Sequence, residues 1–306
     1  MKLGVVIVTY NRINLLKECI EACRNQSKKF EKIFIINNSS TDGTTEYLNE
    51  LNDEKIEIIT LQENIGGAGG FHKGIEQAQN YDLDYLLLID DDAILDYNYN
   101  NEIAKYMEEC NNIYAYSGCV KTDNKIQYAH RRYLYKGTKE IDSVPEDYRG
   151  EYFDYDLSTF CGIYISMEII KKIGLPCKDF FIWYDDTEYS LRINKYSKIR
   201  NINSAWLNHK TAINNDKGLS WKSYYGLRNQ LITIKRYFPK YTLLKYILTM
   251  YKMIIGGKIM RILKNDTYYT KLSDMHKDAL RDGLNNNTGK NDKYLPGVKF
   301  EKRKGN

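Results

Sequence analysis

The sequence predicts an α/β fold in which a mostly parallel sheet is flanked by helices. The chain has 306 residues, and its N-terminal third alternates short apolar runs with segments of helical periodicity. Such alternation is typical of a parallel sheet that helices cover on both faces. A polar cluster follows each apolar run, and in sheets of this kind ligands bind beyond the carboxyl ends of the strands.

The first half of this sheet is predicted from two strands and two helices. Residues 3–9 form a continuous β-branched run, as a strand buried on both faces requires. A helix is predicted over 13–25, where apolar residues recur at helical spacing. A second strand follows over 32–37, and the turn residues after it open a helix over 44–51.

Two more strands continue the alternation. A third strand is predicted over 56–61 and a helix over 74–80. The fourth strand, 85–89, is wholly apolar apart from its first tyrosine, which again indicates burial on both faces. All four strands therefore belong to one sheet, and their carboxyl ends should meet at one edge of it.

Charge is distributed unevenly along the chain. The net charge is +5, yet residues 222–306 contain 19 Lys and Arg against 6 Asp and Glu, a balance of +13. Residues 1–221 therefore carry −8. We expect a catalytic domain over 1–221 and a basic helical C-terminal extension over 222–306, with roughly the last 20 residues loosely ordered.

The longest apolar stretch of the extension, 243–263, is predicted not to span a membrane. Four basic residues interrupt it and Gly256–Gly257 weakens its middle. It fits an interfacial helix on an anionic membrane, a helix packed on the catalytic domain, or a contact between subunits of a homo-oligomer. The residues available for its apolar face are Leu244, Ile247, Tyr251 and Ile254. The acidic N-terminal part argues against nucleic-acid binding.

Cysteine usage indicates a reducing compartment. The six cysteines show no metal-binding pair spacing, and no signal peptide precedes the first strand. We expect a cytoplasmic protein with reduced thiols, either free or peripheral at the inner face of the cell membrane.

Asp90, Asp91 and Asp92 follow the fourth strand directly. Three adjacent carboxylates at the end of a buried strand are costly unless a cation or strong hydrogen-bond donors neutralise them. Mg²⁺ or Mn²⁺ would do so, because both favour oxygen ligands and commonly carry phosphorylated substrates. In an extended or turning chain Asp90 and Asp92 can share one ion while Asp91 faces elsewhere. The alternative interpretation is a strand end with solvated surface aspartates.

A glycine-rich segment, 64–74, lies between the third strand and the next predicted helix. Its glycines let the backbone approach a ligand closely and aim amide hydrogens at phosphate oxygens, with the helix dipole and Lys73 assisting. The alternative is a flexible or tightly packed turn. Its position shortly before the aspartates favours a nucleoside-diphosphate site.

Aromatic residues precede a pair of carboxylates, Asp185 and Asp186, at the start of a short predicted helix. Aspartates at such positions are often only helix caps. A wall of Trp183 and Tyr184 beside carboxylates is also what a sugar-binding general base requires. Downstream, His209 is either structural or completes a metal shell with the aspartates, if the chain returns to them.

Taken in order, these segments resemble the family 2 glycosyltransferases with a GT-A (Rossmann-like) fold, and within them the galactofuranosyltransferase and rhamnosyltransferase branch. The resemblance spans 3–230 and is specific as an ordered set. The segments that carry it are Val-Thr-Tyr-Asn-Arg, Asn-Asn-Ser-Ser-Thr-Asp-Gly-Thr, Asn-Ile-Gly-Gly-Ala-Gly-Gly-Phe, Asp-Asp-Asp, Trp-Tyr-Asp-Asp-Thr-Glu-Tyr, Trp-Leu-Asn-His and Tyr-Tyr-Gly-Leu-Arg-Asn.

The resemblance implies an inverting enzyme that uses a nucleotide sugar and Mn²⁺ or Mg²⁺. It implies that Asp90 and Asp92 bind the metal and diphosphate, that His209 is an additional metal ligand, and that Asp186 is the catalytic base. Asn38 stands where the wider family commonly has an aspartate. The remaining candidates are, for the donor, Thr9, Arg12, Asn38, Asn64, Gly66, Gly67, Lys73 and Asp91, and, for the acceptor, Trp183, Tyr184 and Asp185.

We therefore expect a hexosyltransferase that moves a sugar from UDP-galactofuranose to a saccharide or lipid-linked acceptor in cell-surface polysaccharide synthesis. One alternative is a rhamnosyltransferase with a dTDP-rhamnose donor. A second is a non-catalytic carbohydrate-binding or scaffold protein on the same fold. A glycosidase also uses two carboxylates, but it needs neither a phosphate loop nor a metal.

Overall fold

The computed structural model describes residues 1–110, 112–210 and 219–298. Within them the chain divides into two compact units. The first consists of residues 1–177 and 186–210, and the second of residues 178–185 and 219–298. The second unit thus takes a short segment from the middle of the chain in addition to the predicted C-terminal region.

The first unit is built on one mixed sheet and a smaller second sheet. Its strands are β1 (Leu3–Thr9), β2 (Lys32–Asn37), β3 (Ile56–Thr60), β4 (Tyr85–Asp90), β5 (Ala93–Leu95), β6 (Ala115–Thr122), β7 (Lys125–Ile126), β8 (Arg131–Tyr135), β9 (Lys139–Asp142), β10 (Tyr152–Tyr155), β11 (Leu157–Ser158), β12 (Ile163–Ser166) and β13 (Ile199–His209). The main sheet has the order β10-β13-β6-β12-β4-β1-β2-β3, with β5 paired to β13 and β7 to β6. The small sheet has the order β11-β8-β9.

Helices flank these sheets. They are α1 (Ile13–Arg24), α2 (Thr44–Asn49), α3 (Gly66–Ala78), α4 (Tyr99–Glu109), α5 (Met167–Ile173) and α6 (Asp185–Ile193), with short 3₁₀ turns at Tyr128–His130 and Pro145–Arg149. The first residue of α6 belongs to the second unit.

The central strand β1 is parallel to both β2 and β4, and β3 is parallel to β2. Val5 and Ile7 pack in one apolar cluster while Val6 and Val8 pack in another, so both faces of β1 are buried. The predicted α/β fold is confirmed, and the four predicted strands agree with the structure to within one residue. The sheet is extended beyond them by β12, which inserts antiparallel between β4 and β6.

The glycine-rich segment is helical, so the prediction of a loop before a helix over 74–80 is wrong. Helix α3 begins at Gly66 and includes most of the run. A Cβ atom at Gly70 would lie 2.6 Å from Val8 Cγ1, and one at Gly74 would lie 2.3 Å from Val6 Cγ1. These glycines therefore allow α3 to approach β1 closely, which periodicity alone does not reveal.

The second unit consists of α7 (Trp221–Tyr237), α8 (Lys240–Lys264) and α9 (Tyr268–Leu284), with a 3₁₀ turn at Lys178–Phe180. Part of the tail predicted to be loosely ordered packs on these helices. Tyr294 is 2% exposed, stacks on Tyr224 with ring centroids 4.2 Å apart, and donates a hydrogen bond to Asp278. Residues 299–306 of that tail lie outside the described residues. Among the described helices, none combines the length and the hydropathy that crossing a bilayer would require.

Candidate active site

The loops after β1 and β2 are tied together by their polar side chains. The backbone N–H of Asn11 donates to Ser40 Oγ at 3.0 Å, and that of Thr41 donates to Asn11 Oδ1 at 2.7 Å. Asp42 Oδ2 accepts from the N–H of Ile13 at the start of α1. Asn11 has a φ of 54°, a conformation that asparagine tolerates better than most residues. The polar segments after these two neighbouring strands therefore form one structure.

The three aspartates occupy the end of β4 and the turn after it. Asp91 and Asp92 are only 2% and 3% exposed. One nitrogen, Arg12 Nη1, lies 3.1 Å from Asp91 Oδ1 and 2.6 Å from Asp92 Oδ2, and Thr9 Oγ1 donates to Asp91 Oδ2 at 2.7 Å. The chain turns after Asp90, and one guanidinium nitrogen contacts both following carboxylates; that Asp90 and Asp92 share an ion while Asp91 faces elsewhere stays a prediction.

The chain returns to the aspartates through β13. His209, its last residue, pairs antiparallel with Ala93 of β5, and the N–H of Lys210 donates to the carbonyl of Asp92 at 2.8 Å. This pairing places His209 Nε2 3.2 Å from Asp92 Oδ1. The sequence linked His209 to the aspartates only if the chain returns to them, and it does so through β13.

The carboxylates differ in their electrostatics. Burial raises the pKa of Asp90 to about 7, and the charges of Asp92 and Asp91 raise it further. Burial raises the pKa of Asp91 to about 6 against the opposing charge of Arg12. For Asp92 burial acts in the same direction, but contact with His209 and the charge of Arg12 outweigh it and the pKa falls below its usual value. Burial lowers the pKa of His209, yet Asp92 raises it by more, so the net shift is upward.

The residues present fit a divalent cation of the Mg²⁺ or Mn²⁺ class. Asp92 Oδ1 is buried and, among the described residues, accepts no hydrogen bond, although His209 Nε2 lies 3.2 Å away. Such an oxygen is costly unless it gains a positive partner. In the described part of the chain, no three His, Cys, Asp or Glu side chains come together as a shell that could hold a metal ion. Mg²⁺ commonly takes one or two carboxylates plus waters and substrate phosphates, so such a shell is not required.

Amide side chains hold the start of α3. Asn38 Nδ2 donates to the carbonyl of Gly66 and its Oδ1 accepts from the N–H of Ile65, both at 2.9 Å. Asn64 Oδ1 accepts from the N–H of Gly66 at 2.8 Å. Asn38 is 2% exposed, so its side chain braces this turn.

The first turn of α3 leaves backbone amides without helix partners. Asn64 Oδ1 accepts from the N–H of Gly66, and the amides that follow it in this turn have no acceptor within the helix. A Cβ atom at Gly67 would meet nothing within 4 Å. Lys73 lies farther along α3 and forms an ion pair with Glu76 at 2.6 Å on the exposed surface, so the structure does not bring it to the helix start.

Asp186 lies in the first turn of α6. Its Oδ1 accepts from the N–H of Thr187 at 2.5 Å and from Thr187 Oγ1 at 3.1 Å. The same Thr187 hydroxyl accepts from Arg132 Nη2 at 2.8 Å. Burial raises the pKa of Asp186, although the charge of Arg132 and the hydrogen bonds from Thr187 oppose the shift. Asp186 is therefore a partly exposed, oriented carboxylate with more than ordinary basicity.

Sequence reasoning missed two residues of the first unit, His130 and Arg132. The ring of His130 lies edge-on to that of His209, with centroids 5.1 Å apart. Burial lowers the pKa of His130 well below its usual value, and the charges of Arg131, His209 and Arg132 lower it further. His130 therefore packs against His209 as a neutral imidazole. The run His130-Arg131-Arg132 is visible in the sequence, but only the path of β8 shows where each side chain lies.

In the second unit, residues 178–185 carry the candidate acceptor residues on a strained backbone. Phe181, Trp183 and Tyr184 have φ values of 67°, 64° and 70°, in the left-handed region that is unfavourable for such side chains. Trp183 is 45% exposed and Asp185 is 7% exposed. Strain of this kind persists only where the surrounding structure enforces it.

Helix α7 enforces this conformation through hydrogen bonds to the segment. Asn229 Nδ2 lies within 3.1 Å of the carbonyl oxygens of Phe180, Ile182 and Trp183. Arg228 Nη2 donates to the carbonyl of Phe180 at 3.1 Å. Both α7 side chains are almost fully buried. The Arg-Asn pair that contributed to the resemblance thus holds the backbone of the strained segment.

Glycine at position 226 allows this contact. A Cβ atom there would lie 2.8 Å from the indole of Trp183, so Trp183 packs directly on the backbone of α7.

The family described as glycosyl transferase family 2 matches residues 4–174, more than half of the chain. The chain belongs to this family, and its class is that of the glycosyltransferases. The three aspartates, His209 and Asp186 all belong to the first unit.

Two relatives are named as glycosyltransferases, and one solved structure shares the fold. The chain is 26% identical over 196 residues to Escherichia coli WfaP, a UDP-Glc:α-D-GlcNAc-diphosphoundecaprenol β-1,3-glucosyltransferase, covering 64% of this chain and 70% of that protein. It is 24% identical over 204 residues to the GalNAc(5)-diNAcBac-PP-undecaprenol β-1,3-glucosyltransferase of Campylobacter jejuni, covering 64% and 60%. The crystal structure of GalNAc-T7 with UDP, GalNAc and Mn²⁺ superposes with a TM-score of 0.65 at 14% identity, covering 93% of this chain and 56% of that one. Several other curated relatives are matched over about half of their length or less.

Because Asn229 donates hydrogen bonds to the backbone of residues 180–183, we expect its replacement by aspartate to destabilise the protein. Asn229→Asp keeps the size of the side chain but replaces its donating amide with a carboxylate that repels the carbonyls of residues 180, 182 and 183. We expect the free energy of unfolding to fall by at least about 2 kcal/mol, because buried polar groups lose their partners. Urea denaturation measures it, and hydrogen exchange should show faster opening of 178–185. Gln230→Ala, the next position on the same helix, serves as control and should change stability by less than about 0.5 kcal/mol. An unchanged midpoint for Asn229→Asp would contradict the role given to Asn229.

Proposed function

We propose that this protein is an inverting, metal-dependent glycosyltransferase that moves a sugar from a UDP-linked donor to a saccharide or lipid-linked saccharide in cell-surface polysaccharide synthesis. The observation that carries the proposal is the buried carboxylate of Asp92, whose Oδ1 lies 3.2 Å from His209 Nε2, in a chain of family 2. The carboxylates and imidazole supply the oxygen and nitrogen ligands that Mn²⁺ accepts. WfaP, which is named for a UDP-Glc donor and a diphosphoundecaprenol acceptor, and the structure of GalNAc-T7, which holds UDP and Mn²⁺, support the same proposal.

In this proposal the donor diphosphate is bound by a divalent cation and by α3. Asp90, Asp92 and His209 would hold the cation, which when bound stabilises the charge that develops on the leaving nucleoside diphosphate. The backbone amides that follow Gly66 in the first turn of α3, beginning with Gly67, would bind phosphate oxygens through hydrogen bonds and the helix dipole. Those amides are held in place by Asn38 and Asn64.

The nucleoside would bind where the loops after β1 and β2 meet. Thr9 and Arg12 lie there and hold Asp91 and Asp92. Arg12 compensates part of the negative charge of the cluster, so the carboxylates remain organised before the donor arrives. Lys73, which is paired at the surface with Glu76, contributes at most to the general electrostatic field.

Asp186 is the proposed base. It would take the proton of the acceptor hydroxyl while the hydroxyl oxygen bonds to the anomeric carbon. The bond between that carbon and the phosphate oxygen breaks on the opposite side and its electron pair leaves with UDP, so the configuration inverts. A carboxylate with a raised pKa is a stronger base than a solvated one, and Thr187 and Arg132 hold it in orientation.

The acceptor-binding residues are proposed to be Trp183, Tyr184 and Asp185, because aromatic rings bind the apolar faces of sugars. The proposed domains remain a catalytic 1–221 and a basic helical 222–306. UDP-galactofuranose is the first donor to test and dTDP-rhamnose the second, since the resemblance led to both, whereas the named relatives act on other sugars. A cytoplasmic location at the inner membrane face fits a lipid-linked acceptor.

A panel of nucleotide sugars tests the function directly. With Mn²⁺ present, the true donor should raise the melting temperature in proportion to its binding and be slowly hydrolysed in the absence of acceptor. UDP-glucose and UDP-GlcNAc belong in the panel beside the two donors above. If no nucleotide sugar is bound, hydrolysed or transferred with metal present, the non-catalytic alternative replaces the proposal.

Asp92→Ala should abolish the metal-dependent part of UDP binding while leaving the protein folded. The substitution removes both carboxylate oxygens, the Oδ1 that faces His209 and the Oδ2 that Arg12 contacts. Calorimetric titration with UDP, with Mn²⁺ and with EDTA, measures the effect. Asp82→Ala is the control, because its side chain lies at the surface with Lys2 and should leave UDP binding unchanged. Wild-type UDP affinity of Asp92→Ala in Mn²⁺ would refute the metal assignment.

Asp186→Asn should leave donor binding intact and lower kcat by roughly 10²–10⁴, the range usual for the loss of a general base. The acid limb of the pH profile of kcat/KM should disappear with it, because the wild-type limb reflects protonation of this carboxylate. Asp179→Asn serves as the control, because it changes a second carboxylate that lies close to Asp186 in the sequence, within residues 178–185. Near-normal turnover by Asp186→Asn would return Asp186 to the role of a helix-start residue and make Asp185 the next candidate.

A further inference from the structure

Helix α8 turns an apolar stripe toward solvent. Seven large apolar residues recur every three or four positions on its exposed face, and Ile262 reaches 82% exposure. This set, the α8 stripe, comprises Tyr241, Leu244, Leu248, Tyr251, Ile255, Ile259 and Ile262. The opposite face, which includes Met250 and Ile254, is buried in the core of the second unit. The core of the second unit is therefore formed by the buried face of α8, and the stripe is not part of it.

The structure corrects the face expected from sequence. Leu244 and Tyr251 are exposed, but Ile254 is buried and Ile247 packs against the same core. Both faces of α8 are apolar, which explains why sequence periodicity did not separate them. An exposed apolar surface of this length marks an interaction site in a folded protein.

Basic residues line the stripe. Helix α8 contains six Lys and Arg and no Asp or Glu. At 100° per residue, Lys245 and Lys252 lie along one edge of the stripe and Lys240 and Lys258 along the other. The stripe extends for about 32 Å along the helix axis, at 1.5 Å per residue.

We propose that the α8 stripe lies in the interfacial region of an anionic lipid membrane, parallel to its plane. Apolar side chains would enter the acyl boundary, the flanking lysines would meet lipid phosphates, and Tyr241 and Tyr251 suit the headgroup level. The charge pattern favours this partner over a second copy, because two stripes in contact would bring the four flanking lysines of one helix near those of the other, with no acidic residue on either helix. This inference does not depend on the proposed reaction, since vesicle binding is measured without turnover.

The test is sedimentation of the full-length protein with vesicles. Vesicles of phosphatidylcholine with about 30 mol% phosphatidylglycerol should bind the protein, vesicles of phosphatidylcholine alone should bind it at least about tenfold more weakly, and added salt should reduce the difference. Lys245→Glu/Lys252→Glu should lose the preference for anionic lipid.

The apolar contribution is tested by Leu248→Gln/Ile255→Gln/Ile259→Gln. These side chains are exposed, so the variant should fold, as circular dichroism and urea denaturation can verify, and we expect its binding to fall about tenfold or more. The matched control is Tyr97→Gln/Tyr135→Gln/Tyr196→Gln, which removes three exposed aromatic residues of the first unit and should bind like the wild type.

Two results would overturn the inference. One is equal vesicle binding by the wild type and the folded stripe variant. The other is a wild-type dimer in sedimentation equilibrium that becomes monomeric in the stripe variant while vesicle binding is absent from both, which would assign the stripe to a second copy of the chain.

Discussion

The concentration of negative charge at the end of β4 is the constraint on which the rest of the first unit depends. A strand buried on both faces ends in Asp90, and the next two carboxylates are almost fully buried. Arg12, from the loop after β1, and His209, from the end of β13, both contact Asp92. Because these two residues offset the buried negative charge, β1, β4 and β13 must be aligned although they are distant in the sequence. The compensation is incomplete, because burial still raises the pKa of Asp90 to about 7 and Asp92 Oδ1 accepts no hydrogen bond from the part of the chain that the structure describes. A cation that arrives with a diphosphate would complete it.

Much of the fold could be predicted from sequence because buried parallel strands are continuous apolar runs. The same logic located the aspartates, since polar residues after such strands converge at one edge of the sheet. It failed at α3, where glycine serves packing against Val6 and Val8, because a close approach between elements leaves no periodic signal. It also grouped the wrong residues on α8, where both faces are apolar. The contact of His209 with Asp92 depends on the register of β13 with β5, which composition does not determine.

The conformation of residues 178–185, which carry the candidate acceptor residues, could not be predicted from the sequence. Residues 178–185 are adjacent in sequence to Asp186, yet they fold with the C-terminal helices, which supply Arg228 and Asn229 as hydrogen-bond donors to their backbone. Their left-handed φ values are maintained by those side chains. The Arg228–Asn229 pair on α7 therefore has a structural explanation that does not require contact with a substrate.

The most direct test of the central claim is the linkage between Mn²⁺ and UDP in the wild-type protein. If one ion held by Asp90, Asp92 and His209 carries the diphosphate, UDP must raise the affinity for Mn²⁺ by the same factor by which Mn²⁺ raises the affinity for UDP. Electron paramagnetic resonance measures free Mn²⁺, and calorimetry measures UDP binding. The account predicts one tightly bound ion per chain in the presence of UDP and equal coupling factors from the two titrations. UDP binding of the same affinity in EDTA and in Mn²⁺ would contradict it.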